Sequence, residues 1–450
     1  MTAAPYAGEL AGPAPTAPGE RISSIDAVRG FALLGILLLN ICGFGLPFMA
    51  YMDPTLVGEA QDANRWTWAV NQVLADGKMR GLFSMLFGAG VIILTARAAE
   101  RGLAADIADI YYRRMLWLLL FGFLHAYLIW SGDILVFYAL AGLMLYPFRK
   151  LRPRALVIGG VCALLVVALL NAGAAFGIGQ LRTAAAGFQA QADAGTTLTY
   201  EQKQAVEQWQ KLQAFFRPDA ESLQREIDAA RGGFGSVLGL RAGQTRFMHM
   251  KYLYGEGIFD VLGMMLLGMA LMKLGFFSAA LSRAAYVKIA AVGYLVGLPA
   301  SALAASWIWQ GNFDVVALHQ GWALHGLARV PVALAHASVL LLICQAGALR
   351  WLTSRLAAVG QMAFTNYLMT SIICTTIFYG YGFGLFARLE RYELYYVVAG
   401  VWLFQLVTSK VWLTYFRFGP FEWVWRSLTY WQRQPMRQPA PAPPPVAAAV

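Results

Sequence analysis

Apolar runs separated by short polar connections dominate the chain. FALLGILLLNICGFGLPFMA, MLWLLLFGFLHAYLIW, DILVFYALAGLMLY and ALVIGGVCALLVVALLNAGAAFGIG approach or reach the length needed to cross a membrane, which takes about 20 residues as a helix. A span must satisfy its backbone hydrogen bonds within itself, so helices are the natural reading. The pattern predicts an all-α, polytopic membrane bundle of about ten spans, at 27–48, 68–95, 115–131, 133–148, 155–180, 256–277, 286–309, 322–346, 356–380 and 394–416. Residues 181–254 form the one sizeable polar insert. Thr199 and Gln202 make a T-x-x-Q capping box before EQKQAVEQWQKLQAFF, and a second helical stretch follows Pro218 through Arg231. Two helices on the outer surface are expected there. The organisation read from this pattern is an N-terminal disordered segment 1–20, one transmembrane domain 21–432 containing the insert, and a disordered Pro/Ala-rich tail 433–450.

Composition strengthens the membrane assignment: 59% of the 450 residues are hydrophobic and 13% charged, against roughly 25% charged in soluble domains. The net charge of +11 is accounted for by orientation. Arg97, Arg101, Arg113 and Arg114 follow the second span, and Arg149, Lys150, Arg152 and Arg154 follow the fourth. Lys273, Arg283 and Lys288, then Arg350 and Arg355, then Arg417, Arg426 and Arg433 mark the later alternate ends. The positive-inside rule places those loops, and both termini, in the cytoplasm of a bacterial-type inner membrane, with no need for a nucleic-acid partner. The first twenty residues lack the basic stretch and short apolar core of a cleavable signal, so the first span reads as a retained anchor.

Polar residues inside spans carry the candidate chemistry, because an ionisable group in a bilayer costs several kcal/mol and usually marks a site. Arg114 and His125 stand eleven positions apart, on nearly one helical face and roughly 16 Å apart along the axis. Asp133, past the turn at Ser131-Gly132, is placed to hold the imidazole in one tautomer, an arrangement suited to a general base. A histidine bonded to a neighbouring helix and an aspartate capping the next is the alternative. In the first span Arg29 and Asn40 repeat the spacing, although Asp26 and Arg29 are also spaced to pair as an anchor. The eighth region carries His325, Arg329 and His336 within about 40° on one face, with His319 and Gln320 at its outer approach. A substrate pocket and a proton relay both fit that stripe, and Pro331 is positioned to kink the helix. Lys78 and Arg80 read as snorkelling interfacial cations or as contacts to an anionic acceptor. Cys42, Cys162, Cys344 and Cys374 lack metal-ligand spacing and read as packing residues, and no metal is expected.

Four blocks in order, IDAVRGFALLGILLLNI, GFLHAYLIWSGDILVFYALAGLMLYPF, VGQMAFTNYLMTSIICTTIFYGYGFGLF and FGPFEWVWRSLTYW, resemble the YeiB-like membrane proteins, also called the domain of unknown function 418 family. The resemblance covers nearly all of 21–432, the termini and the insert falling outside it, with its C-terminal half at about 255–432. The opening block, here Asp26, Arg29, Gly30 and Ala32, is similar to the start of the wider transmembrane acyltransferase group, which includes heparan-alpha-glucosaminide N-acetyltransferase. Asn40 matches an asparagine of that enzyme's first span. The resemblance implies transfer of an acyl group, acetyl foremost, from cytoplasmic acyl-CoA to a small-molecule, glycan or lipid acceptor at or across the membrane. This chain has ICGFGLPFMAYMDP where the acetyltransferase carries its catalytic histidine, so the base must come from another helix.

Joined to the residues, that implication gives Arg29, Arg113 and Arg114 the phosphates of acyl-CoA. His125 with Asp133 acts as general base, Asn40 donates to the oxyanion, and His319, Gln320, His325, Arg329 and His336 face the acceptor. Membrane lipid surrounds the bundle, and a homodimer is left open. A secondary transporter is the first competing function and a lipid- or partner-binding protein the second; an internal duplication of the hydropathy pattern, frequent in transporters, is not evident. The orientation is testable by cysteine-accessibility labelling: sites in 97–114 and 149–154 are expected to react from the cytoplasm and sites in 200–230 from outside. Outward labelling of 149–154 would reverse the topology.

Overall fold

A computed structural model describes residues 23–100 and 106–438; segment 1–20, Arg101 and the tail beyond 438 lie outside the described residues. Sixteen α-helices make up those residues, with an isolated bridge, Phe416 to Arg437, in place of any sheet. Among the described residues, seven helices are long and apolar enough to cross a membrane, and eight if one sharply bent pair counts as a span. The chain is therefore a multi-pass, all-helical membrane protein, while the expected ten spans resolve differently.

The first span is α1 (Ser23–Gly45). The second combines α2 (Gln61–Leu74) and α3 (Lys78–Glu100), which join at Gly77. The third and fourth become α4 (Ile107–Leu128) and α5 (Leu135–Leu145). Neither meets the length and apolarity of a span: α4 carries Asp109, Arg113, Arg114 and His125, and the 11 residues of α5 reach only about 16 Å.

Helix α6 (Pro153–Asp193) is 41 residues, or about 60 Å, roughly twice the hydrocarbon core, so it continues well past the membrane. Three helices of the insert follow: α7 (Tyr200–Phe216), α8 (Ala220–Arg231) and α9 (Phe234–Phe247). The capping box forms, with Thr199 and Gln202 bonding reciprocally. From α9 the chain runs through a π-helical segment, Met248–Gly257, directly into α10 (Ile258–Lys273), so this span begins far earlier than the apolar run suggests. Hairpin partners α11 (Arg283–Gln310) and α12 (Val315–Ala346) come next; Pro331 lies inside α12, which continues unbroken past it.

The bent pair is α13 (Arg350–Gln361) and α14 (Ala363–Phe378), at 85°. The amides freed at the start of α14 are satisfied by Glu422, which accepts Phe364 N–H at 2.6 Å and Thr365 N–H at 3.0 Å. Helices α15 (Leu394–Tyr415) and α16 (Pro420–Tyr430) close the bundle. Beyond α16, Arg437 and Gln438 pair with the end of α15 through Arg417 N–H to Met436 and Gln438 N–H to Tyr415. This part of the expected disordered tail is therefore held.

Small residues let these helices approach closely, as membrane helix contacts require where lipid and side chains are equally apolar. A methyl group on Gly88 of α3 would collide with the Met265 carbonyl of α10, and one on Gly268 with the Met85 carbonyl, whereas Gly90 faces open space. Gly88→Ala and Gly268→Ala should each destabilise the folded protein by about 1–3 kcal/mol, the usual cost of overpacking, and lower its thermal midpoint in detergent. Gly90→Ala should leave that midpoint unchanged; equal behaviour of all three variants would refute the close α3–α10 crossing.

Candidate functional site

Helix α4 ends where Ile129 and Trp130 N–H both bond the His125 carbonyl at 2.9 Å. Trp130 then stacks on Phe44 of α1, ring centres 4.0 Å apart, and donates its indole N–H to the Gly43 carbonyl. Anchored there, the chain reverses through Ser131-Gly132 and returns Asp133 beside the histidine. Asp133 Oδ1 lies 2.8 Å from His125 Nδ1, and Asp133 Oδ2 accepts Val136 N–H at 2.8 Å, capping the first turn of α5. The other ring nitrogen, Nε2, lies 2.8 Å from Ser371 Oγ on α14. His125, Asp133 and Ser371 are all buried. Three helices thus meet in a serine, histidine and aspartate array, of which the serine is recognisable from sequence only as one hydroxyl in the Thr/Ser-rich run FTNYLMTSIICTT.

Two cavities flank this array. The first, about 310 Å³, is lined by Arg29 of α1, Arg97 of α3, Arg114 of α4 and Arg426 of α16, with Asp26 and Glu422 as its acidic residues among the described residues. Arg29 bonds Asp26 at 2.6 Å, and Arg114 lies over the Trp425 ring at 3.9 Å. Phe83, Phe87, Leu118 and Phe364 supply apolar wall. Arg113 does not line this cavity: it bonds Asp109 at 2.5 Å and the Thr429 carbonyl at 3.0 Å. Arg97 and Arg426 take its place in the cluster, having registered in the sequence only as marks of orientation.

The second cavity, about 660 Å³, lies at the opposite ends of the same helices, where Asn40 of α1, Asp76 and Arg80 at the start of α3, and Asp133 line it. From α12 come His319, His325 and Arg329. His336 of that stripe and Gln320 of its approach lie elsewhere, because a helix of this length meets several neighbours: Gln320 is exposed, and His336 bonds the Tyr294 hydroxyl and the Leu74 carbonyl. Asp260, on α10, accepts from Arg329 and from Arg80 at 3.1 Å. His325 Nε2 stands 3.9 Å from Asp76 Oδ2 with no hydrogen bond among the described residues.

Gly77, with φ +67°, brings Asp76 this close: a side chain there would press on Arg329 Cδ and His325 Nε2. Lys78 is fully buried and donates to the Gln72 carbonyl at 2.5 Å, so it does not snorkel. The π-helical segment turns Lys251, Tyr252 and Glu256 toward the cavity, and such segments recur at functional sites. Glu256 and His319 both bond Asn171 of α6. Asp260 within IFDVLGMM was the strongest signal that the sequence reading passed over, a carboxylate inside an apolar span.

The insert forms the outer wall of this cavity through Phe215, Phe216, Glu226, Gln244 and Phe247. Glu226 accepts Phe48 N–H at 2.8 Å and Gln244 Nε2 at 3.1 Å, and Gln244 accepts the Ser131 hydroxyl, tying the insert to the turn before Asp133. Burial against the cavity raises the Glu226 pKa, opposed by those bonds.

Ile134 and Tyr138 line both cavities and form the wall between them. The Tyr138 hydroxyl is held by Ser84 Oγ at 2.7 Å. Asp133 faces the second cavity and Tyr367, whose ring centre is 5.1 Å from that of His125, faces the first. His125 itself lines neither. Both of its ring nitrogens have partners within the protein.

The family model described as "Protein of unknown function (DUF418)" matches residues 271–432. The chain is 34% identical over 416 residues to "Uncharacterized protein YeiB" of Escherichia coli strain K12, covering 91% of this chain and 96% of that protein. It is 32% identical over 431 residues to "Uncharacterized protein YxaH" of Bacillus subtilis strain 168, covering 94% and 97%. With relatives matched along nearly their whole length, the chain belongs to the YeiB-like DUF418 family of membrane proteins.

Proposed function

We propose that this protein is a membrane-bound acyltransferase that takes an acyl group, acetyl foremost, from acyl-CoA at the cytoplasmic face and passes it to an acceptor bound from the opposite side. One observation carries the reading: a cavity lined, among the described residues, by four arginines and two carboxylates, and a second, larger cavity at the opposite helix ends, share the wall of Ile134 and Tyr138. A phosphate-rich donor suits the first, because guanidinium groups bind phosphate oxygens through paired hydrogen bonds. The positive-inside pattern supports a cytoplasmic position for that end, on the side where acyl-CoA is found. At about 310 Å³ the cavity accommodates an extended thioester arm, with the nucleotide at the arginine mouth. The His125 and Asp133 pair behind the shared wall supplies the base, and Asn40 stands in the acceptor cavity as a donor for developing negative charge.

A transporter is the second reading, favoured by one specific feature. Asp76, Arg80, Asp260, His325 and Arg329 gather in the larger cavity, and buried ionisable clusters of that kind serve proton and substrate pathways.

Purified protein in nanodiscs should bind acyl-CoA, measured by calorimetry, and hydrolyse or transfer its acyl group. Arg114→Ala should weaken donor binding, more so at high salt because screening adds to the lost charge. His125→Ala should lower turnover by about 10²–10⁴-fold, the usual worth of a general base, with coenzyme affinity nearly intact. Absence of acyl-CoA binding across several chain lengths, together with proteoliposome flux that depends on His325, would replace the enzyme with the transporter.

A further inference from the structure

A donor on one side of a wall and an acceptor on the other pose a problem of transit, and the buried array behind that wall answers it. We propose that Ser371 is a nucleophile that carries the acyl group as an ester between the two cavities; the proposal rests on the acyltransferase reading above. The geometry is that of an activated hydroxyl. Ser371 Oγ lies 2.8 Å from His125 Nε2, and His125 Nδ1 lies 2.8 Å from Asp133 Oδ1. A carboxylate accepts hydrogen bonds, so Asp133 holds the proton on Nδ1 and leaves the Nε2 lone pair directed at the serine hydroxyl. That division of roles, serine attacking, histidine taking its proton and carboxylate orienting the ring, recurs on unrelated folds and is recognised by geometry.

Position supports the assignment as much as geometry does. Asp133 faces the larger cavity, and Tyr367, one helical turn before Ser371 on α14, faces the arginine cavity and accepts Ile134 N–H at 3.1 Å. Ile134 belongs to the shared wall. Ser371 itself is buried, with 1% of its surface exposed. Access to it from the donor side is through displacement of the Tyr367 ring, whose hydroxyl accepts the Ile134 backbone N–H, and of the Ile134 side chain beside it. A sealed nucleophile also keeps water from a reactive ester.

In the first half-reaction the Ser371 oxygen attacks the thioester carbonyl. Its proton passes to His125 Nε2, the new C–O bond forms as the C–S bond breaks, and coenzyme A leaves as a thiol after receiving that proton. In the second, an acceptor hydroxyl or amine attacks the ester carbonyl and gives its proton to His125, which returns it to the departing Ser371 oxygen. No electrons are exchanged, and the only co-reactants are acyl-CoA and the acceptor.

The test is incubation of the full-length protein in nanodiscs with radiolabelled acetyl-CoA and no acceptor, an acid quench, and peptide mass spectrometry. Label should reside on Ser371. Ser371→Ala and His125→Ala should each cut it by at least about 10²-fold while acetyl-CoA affinity is retained. Because Ser371→Ala can disturb the helix contact, Ser371→Cys serves as a second variant; it should take the label as a thioester, released by neutral hydroxylamine, whereas the wild-type ester resists. Label found on His125 or Cys42, or full turnover by Ser371→Ala, overturns the serine relay but leaves the acyltransferase standing. Loss of acetyl-CoA binding in the wild-type protein removes both.

Discussion

The fold is organised around the need to pair charges that the chain has buried. Asp260 lies in an otherwise apolar helix and accepts from two arginines, Arg80 of α3 and Arg329 of α12. An isolated carboxylate there would be strongly disfavoured, and two guanidinium groups without it equally so. The three side chains are tolerable only together, which fixes how α3, α10 and α12 are placed around the larger cavity. Breaking such a buried set typically costs about 3–5 kcal/mol, comparable to a large part of a domain's stability. The glycine contacts between α3 and α10 reinforce the same placement by allowing the helices to cross closely.

Backbone groups obey the same constraint. The 85° break between α13 and α14 exposes helix-end amides within the bundle, and the Glu422 carboxylate closes them from α16. The break brings Gly360 and Gln361 into the wall of the arginine cavity and sets Tyr367 and Ser371 on a short helix facing α4 and α5. Broken helices in membrane proteins are tolerated where they line a cavity, and they commonly build binding sites. The reversal at Ser131-Gly132 is the second irregularity, toward the other end of α1: Trp130 bonds the Gly43 carbonyl, whereas Gly360 packs on Asp26 and Gly30. Ser371, eight residues into α14 from the α13–α14 break, reaches His125 and Asp133 beside the reversal.

The insert belongs to the site as well. Phe215, Phe216 and Glu226 close the larger cavity, and the hydrogen-bond chain from Glu226 through Gln244 to Ser131 couples that closure to the turn carrying Asp133. The polar helices of the insert therefore bear on the environment of Asp133. Relatives in Escherichia coli and Bacillus subtilis match the chain over nearly its whole length, so the bundle and the insert are compared as one unit.

Apolar run length and basic loop residues were sufficient for the fold class, because both are local properties that the bilayer selects directly. The nearness of His125 and Asp133 was legible too, since a short turn between two helices leaves few places for the aspartate. The span count was not legible: α4 is too polar and α5 too short, while α6 and α9 extend beyond their apolar stretches as helices that packing supports. Helical periodicity placed His325, Arg329 and His336 on one stripe, yet only the neighbours of α12 decided that His336 turns to Tyr294 and the Leu74 carbonyl while the other two face a cavity. Ser371 lies 246 residues from His125, and Asp260 lies 180 and 69 residues from its two arginines by their numbering. No spacing rule spans such separations, because the contacts arise from how helices cross in three dimensions and not from the order in which they follow one another along the chain.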